Sequence, residues 1–257
     1  MKRGMAALAL AFFACTATAQ RGAGVETLLG AGVHYSKGDY GTGETTDITA
    51  LTFTLRHDTG RWTFRGSVPY LWISGSNAVV PGVGAIGGGT PSAGTSSSSG
   101  LGDVTLSATY ALHYDPARAW GLDVSGKAKL ATADEEERLG TGEHDLGVGA
   151  EVFKTFGSFT AFAGIGYTEF GATNIFNVDN AFSYALGVTY RLDDRDSIGA
   201  VYDEREPITR GEPPLEEFTA FVSRRMAGGW RAQAYILFGF ADGSPDWGAG
   251  VSMAFPF

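Results

Sequence analysis

The stretch W-G-A-G-V-S-M-A-F-P-F, from Trp247 to Phe257, decides the fold of this chain. Trp247, Val251 and Met253 stand with other apolar residues at every second position, and small residues fill the positions between them. A period of two predicts a β-strand with one strongly apolar face. Soluble domains rarely end on such a strand, because chain ends fray. A transmembrane β-barrel needs one, since its last strand closes against the first and faces lipid.

The beginning of the sequence predicts export. Lys2 and Arg3 precede the short apolar run 5–14, and Ala17-Thr18-Ala19 follows it as a cleavage site. These are the three parts of a secretory signal peptide. We therefore expect residues 1–19 to be removed and residues 20–257 to form one outer-membrane domain. Two alternatives are lipid attachment at Cys15 and an N-terminal core helix.

The composition excludes several functional classes. The formal net charge is −9, and no basic stripe is present that would neutralise phosphates, so nucleic acid is not an expected partner. Glycine reaches 38 residues and aromatics 12%, as expected where lipid-facing and lumen-facing positions alternate. No apolar run after residue 20 is long enough for a helical membrane span. The single cysteine lies in the signal region, and no cofactor or metal site is predicted.

Strand-like segments recur at the length that a tilted strand needs to cross a bilayer. We assign twelve, and the connections between them alternate between short and long, as in outer-membrane barrels with short periplasmic turns and long extracellular loops. The predicted fold is an all-β, antiparallel up-and-down barrel. Its strands are expected at 24–35, 47–57, 61–73, 101–113, 119–131, 143–155, 158–170, 178–191, 196–205, 215–226, 230–241 and 247–257.

Alternation within the strands assigns charged side chains to the barrel interior, since a charge facing lipid near the midplane costs about 2–4 kcal/mol. In the fourth strand Leu106 and Tyr110 face outward, and Ser107 and His113 face inward. The inward charges either select a solute or form an ion-pair network that holds the interior together. The residues predicted to line a solute pathway are Arg56, Arg65, Asp103, Asp123, Lys127, Lys129, Glu151, Arg191 and Arg231.

The long connection 74–100 is rich in glycine and serine and poor in charge. Such a segment is unlikely to fold alone. It either folds into the barrel mouth, where Val79, Val80, Val83 and Ile86 find shelter from water, or remains an exposed tip.

Catalysis is not predicted. A lipid hydrolase would need Ser and His together on the outer rim. Of the histidines only His144 faces outward near the long loops, and no serine precedes or follows it on its strand. The acidic run 134–137 either binds Ca²⁺ or forms a solvated loop.

Four short motifs carry a family resemblance: S-V-P-Y-L (67–71), S-G-L-G-D (99–103), L-G-T-G-E-H-D (139–145) and G-I-G-Y-T-E-F-G (164–171). In order and spacing the chain resembles the outer-membrane "transporter" family named for the MetA pathway of phenol degradation, over residues 25–257. A proline expected before Thr132 is missing. The resemblance implies a passive channel for a small solute, aromatic or hydrophobic.

The predicted partners are outer-membrane lipid, a small-molecule solute and the barrel-assembly machinery, which would recognise Phe257. The alternatives to a channel are a non-conducting barrel that is structural or binds a partner, and an outer-membrane lipid-modifying enzyme.

Overall fold

The computed structural model describes residues 24–76, 79–81, 84–85, 95–171, 178–208 and 214–257. In this part of the chain no helix is long and apolar enough to cross a membrane. The described residues form twelve long strands: β1 (Glu26–Gly38), β2 (Thr46–Thr59), β3 (Trp62–Ser76), β4 (Thr95–Leu101 and Val104–Asp115), β5 (Trp120–Leu130), β6 (Asp145–Phe156), β7 (Phe159–Glu169), β8 (Ala181–Arg191), β9 (Asp196–Arg205), β10 (Leu215–Arg225), β11 (Arg231–Gly239) and β12 (Trp247–Pro256).

The strands form one closed antiparallel barrel, as the sequence predicted. Each strand pairs with its neighbours in the chain, and β12 returns to pair with β1 from Leu28↔Pro256 to Lys37↔Trp247. Closure pairs the twelve strands on both sides, except that the segment Thr95–Leu101 of β4 pairs only with β3. Pairing of strand edges is the condition for a sheet in lipid. The C-terminal stretch is therefore the closing strand that its alternation indicated.

Strand β4 is divided by Gly102 and Asp103. The segment Thr95–Leu101 pairs with the C-terminal part of β3 (Tyr70↔Leu101), and the segment Val104–Asp115 pairs with the N-terminal part of β3 (Trp62↔Tyr110). A side chain at Gly102 would collide with Pro69 and Leu71, and the Gly102 N–H donates to the Pro69 carbonyl over 2.9 Å. Glycine is thus required where the two strands approach most closely.

Connections of unequal length distinguish the two ends of the barrel. At one end, called the short-turn end, the strands are joined by tight turns; Gly60 and Gly157 occupy two of them with φ of 57° and 62°, a conformation that glycine adopts readily. At the other end, called the long-loop end, β1–β2, β3–β4, β5–β6, β7–β8 and β9–β10 are joined by longer segments.

The outer surface is apolar and the inner surface largely polar. Leu146, Val148, Leu186 and Val251 all project outward and are more than half exposed. Outward aromatic rings contact one another near both ends, for example Trp62 with Tyr110 at the short-turn end and Tyr35 with Trp247 at the long-loop end. An apolar band between two aromatic zones fits a bilayer and its two interfaces.

The prediction that His113 faces inward is wrong. A β-bulge in β4 shifts the register between Ala111 and His113, so that Ala111 lies opposite Asp123 but His113 lies opposite outward-facing Leu122. The His113 ring lies against Trp120, with 4.6 Å between the ring centroids. The inserted residue reverses the alternation below it, which a strict period of two could not anticipate.

Candidate functional site

Two cavities occupy the barrel interior enclosed by the described residues. The first, of about 1040 Å³, runs along the β2–β8 wall from the short-turn end towards the long loops. The second, of about 690 Å³, lies at the short-turn end and is bounded mainly by β6–β12. Thr52, Thr54, Arg56, Arg65, Arg225 and Arg231 line both cavities, so they mark the place where the two cavities meet.

All nine residues predicted to line a pathway border one or both of these cavities. Arg191 lines the second, and Asp103, Asp123, Lys127, Lys129 and Glu151 line the first. The arginines lie at the short-turn end, whereas Lys129 and Asp103 lie towards the long loops. Charged side chains of the interior thus occur at both ends of the barrel.

Two ion pairs fix arginines at the short-turn end. The Arg56 Nε lies 2.8 Å from the Asp58 Oδ2, and the Arg231 Nη2 lies 2.7 Å from the Glu26 Oε2. Asp58 also accepts a hydrogen bond from the Thr63 hydroxyl over 2.5 Å. Arg56 and Arg231 therefore take part in ion pairs, which is one of the two interpretations of the interior charges.

Lys129 is the centre of an ion cluster near the long-loop end. Its Nζ lies 3.3 Å from the Asp103 Oδ2 and 3.0 Å from the Asp145 Oδ2, and it donates to the Thr141 hydroxyl over 2.8 Å. The Lys129 side chain is 13% exposed. A buried charge needs such partners, because desolvation alone is costly. Lys129 therefore ties β4, β5, β6 and the β5–β6 loop together.

The same cluster explains the positions of the four motifs behind the family resemblance. Asp103 also accepts the N–H groups of Thr132 and Ala133, each over 3.0 Å. Asp145 accepts the N–H of Gly171 over 3.1 Å. Pro69 of the first motif accepts the N–H of Gly102 in the second. The motifs, distant in sequence, meet around one rim of the barrel.

Arg205 and Glu217 are two of the charged interior residues that were missed. Arg205, on β9, lies with its guanidinium carbon 5.6 Å from the centroid of the Phe170 ring. Glu217, on β10, is buried and lies directly opposite Asp203. The alternation along each strand could have identified both residues. Arg205 lies two positions after inward-facing Asp203 on β9, and Glu217 lies four positions before inward-facing Phe221 on β10.

A cluster of aromatic side chains fills part of the interior. Phe153, Phe162 and Phe221 are buried together with Val201, and Tyr235 packs against them. The Tyr235 hydroxyl lies 3.0 Å from the His34 Nδ1. All four rings face the barrel interior, along the β6–β11 side of the wall.

A second cluster, here called the mouth cluster, lies at the long-loop end. It joins strand residues to loop residues that are distant in sequence: Tyr40, Ile48, Ala50, Leu71, Ile73, Val79, Val80, Leu139, Ala181 and Ile208. Val79 and Val80 are buried, as expected if the connection 74–100 folds into the mouth. Val83 and Ile86 lie outside the described residues. Burial also raises the pKa of the Tyr40 phenol above its ordinary value.

His144 and the acidic run lie in the β5–β6 loop. The His144 Nδ1 accepts the N–H of Ala131 over 3.1 Å. Asp134 accepts the N–H groups of Glu136 and Glu137, which forms an ordinary loop turn. Among the described residues no group of three or more His, Cys, Asp or Glu is arranged to hold a metal ion.

Solved structures similar to this one are outer-membrane barrels. A KdgM porin in complex with disordered oligogalacturonate has a TM-score of 0.55 and 8% identity, covering 89% of this chain and 99% of the porin. The NanC porin has a TM-score of 0.53 and 10% identity, covering 88% and 98%. The β domain of the Bordetella autotransporter BrkA has a TM-score of 0.51 and 14% identity, covering 92% and 100%. These likenesses show the fold.

No curated protein matches the chain in sequence. A family match covers residues 25–205, which include all four of the motifs around the Lys129 cluster and strands β1 to β9. The chain therefore belongs to the family described as "Putative MetA-pathway of phenol degradation".

Proposed function

We propose that this protein is a passive channel for a small solute across an outer membrane. The observation that carries the proposal is a cavity inside a closed barrel, with many hydroxyl and charged side chains in its lining. The first cavity is lined by hydroxyl and charged side chains, among them Ser67, Thr105 and Ser107, and it extends from the short-turn end to beneath the mouth cluster. A barrel with such an interior transports solutes when its lumen is open.

The pathway in this proposal follows the nine predicted residues. Arg56, Arg65, Arg191 and Arg231 act at the short-turn end, Asp123 and Glu151 in the middle, and Lys127, Lys129 and Asp103 below the mouth cluster. Lys129 and Asp103 also hold the long-loop rim together, so we assign them a structural role besides that of lining. The solute class implied by the family is aromatic or hydrophobic.

Export and orientation belong to the same proposal. Residues 1–19 act as a cleaved signal peptide, and residues 20–257 insert as the barrel. Phe257 serves as the recognition signal for assembly. The short turns face the periplasm and the long loops face outward, as is usual in outer-membrane barrels.

A non-conducting barrel is the second candidate, and the mouth cluster favours it. Buried apolar side chains from several loops meet across the long-loop end, and an apolar constriction excludes water. A lipid-modifying enzyme that uses His144 is the third candidate.

Liposome swelling tests the channel against both alternatives. Proteoliposomes containing residues 20–257 are expected to swell in isotonic arabinose or benzoate and to swell more slowly as the solute becomes larger. Heat-modifiable gel migration serves as the folding control. Folded protein that leaves the liposomes impermeable to every small solute contradicts the channel. Lipid hydrolysis that is lost in His144→Ala would establish the enzyme instead.

A further inference from the structure

Two pairs of arginines lie directly opposite each other across neighbouring strands at the short-turn end. Arg56 on β2 faces Arg65 on β3, and Arg225 on β10 faces Arg231 on β11. Like charges directly opposite each other destabilise a sheet. Two such pairs concentrate positive charge at the short-turn end, and an anion in the lumen would offset it.

Carboxylates lie beside two of these arginines. Asp58 pairs with Arg56, and Glu26 pairs with Arg231. The second cavity as a whole is lined by seven arginines and three aspartates. That cavity therefore carries a net positive lining.

The position of the four arginines is the second observation. They line both cavities, together with the hydroxyl side chains of Thr52 and Thr54. A solute that moves between the two cavities must pass them. Arginine is the side chain best suited to hold a carboxylate, because its planar group donates two parallel hydrogen bonds.

The opposite wall of the first cavity carries the opposite charge. Asp123 on β5 lies directly across from Glu151 on β6. At the level of this carboxylate pair an anion is repelled from the β5–β6 wall and attracted to the arginines, whereas Lys127 and Lys129 lie further towards the long loops. The second cavity also presents apolar surface for the body of such a molecule, since the exposed ring of Tyr114 lines it and lies 6.3 Å from the buried Phe153 ring.

We infer that Arg56, Arg65, Arg225 and Arg231 form a binding site for a small aromatic carboxylate at the junction of the two cavities. The carboxylate is held by the guanidinium groups, and the ring lies against Tyr114. The inference rests on the proposed function, in which the interior is a solute pathway, and it specifies the class of solute.

Isothermal titration of benzoate into residues 20–257, refolded in detergent micelles, tests the site without any need for conductance. Benzoate is expected to bind, benzyl alcohol to bind at least tenfold more weakly, and inorganic phosphate to bind more weakly than benzoate. The double variant Arg65→Gln/Arg225→Gln should weaken benzoate binding by about tenfold or more, because charged hydrogen bonds are lost.

Arg118→Gln is the matched control. Arg118 belongs to the β4–β5 turn at the same end of the barrel, but its side chain is 78% exposed and faces Asp115 rather than a cavity. Its loss should leave benzoate binding unchanged. If the double variant does not fold, the single variants Arg65→Gln and Arg225→Gln replace it, and each should weaken binding. Equal binding of benzoate by wild type and variants, or equal binding of benzyl alcohol, overturns the site.

Reversal potentials in a KCl gradient separate failure of this site from failure of the proposed function. An anion-selective current that benzoate blocks supports both. A cation-selective current that ignores benzoate overturns the arginine site and leaves the channel intact. A silent but folded barrel that binds benzoate through the arginines overturns the channel and leaves the site intact.

Discussion

Phe162 on β7 lies directly opposite Gly187 on β8, and its ring covers the position where a side chain on Gly187 would begin. Three further pairs repeat this relationship on the inner wall: Phe153 with Gly121, Phe221 with Gly199, and Tyr235 with Gly250. Each ring lies over a glycine on the adjacent strand. Bulky interior rings are thereby accommodated against the barrel wall rather than across the lumen.

Gly187→Ala is expected to destabilise the barrel by about 1–3 kcal/mol, because the new methyl group must displace the Phe162 ring from a packed cluster. Urea unfolding in micelles measures the change. Gly126→Ala is the control, since a side chain at Gly126 meets no atom within 4 Å. Equal stability of the two variants would show that the packing of the Phe162 ring does not require glycine at position 187.

Lys129→Met should destabilise the long-loop end by about 3 kcal/mol, since it leaves Asp103 and Asp145 close together without their shared cation. The control is Lys37→Met, whose exposed partner Asp47 lies 3.7 Å away and whose loss should cost less than about 1 kcal/mol. Unfolding of both variants under the same conditions provides the comparison. A loss for Lys129→Met no larger than that for Lys37→Met contradicts the structural role of the cluster.

Alternation in the sequence was sufficient to predict the barrel and the twelve strands, and the nine residues that it assigned to the interior border the two cavities. These predictions needed only the odd or even position of each residue within its own strand. Features that depend on cross-strand register were not accessible in this way. The sequence indicates that Phe162 faces inward, but only the register places it opposite Gly187. The pairing of Arg56 with Arg65 and of Arg225 with Arg231 was missed for the same reason.

Loops and local irregularities account for the remaining differences. The mouth cluster brings together Tyr40, Val80, Leu139 and Ile208 from separate connections, and no local pattern predicts such long-range contacts. The bulge that turns His113 outward inserts one residue without any proline or glycine to mark it. Gly102 and Asp103 interrupt β4. Both residues belong to the G-L-G-D motif, but the motif alone did not predict the interruption.

Asp193 in the β8–β9 turn should stabilise the protein in a pH-dependent manner. The N–H groups of Arg195 and Asp196 each donate to its carboxylate over 2.7 Å and lower the pKa of Asp193 below its ordinary value. Its contribution is therefore present above the ordinary aspartate pKa of about 3.9 and is lost as the pH falls through the lower folded value. NMR titration of the Asp193 carboxyl measures this pKa directly. A pKa at or above the ordinary value would show that the turn does not favour the ionised form.

Val80→Asp should increase conductance if the mouth cluster restricts the lumen. Val80 is buried in that cluster, and a charged side chain there draws water into an apolar constriction. Thr45→Asp is the control, because Thr45 lies in the β1–β2 connection at the same end of the barrel with its side chain exposed. The single-channel current of both folded variants should be compared with that of the wild type. An unchanged current in Val80→Asp would mean that the mouth cluster does not limit flow.

The central claim, that this barrel is a passive channel, is tested most directly by single-channel recording of residues 20–257 in a planar bilayer. Heat-modifiable gel migration confirms in advance that the protein is folded. The account predicts discrete, steady current steps that scale with salt concentration. A folded barrel that inserts without any current, in wild type and in Val80→Asp, would contradict it and establish the non-conducting barrel.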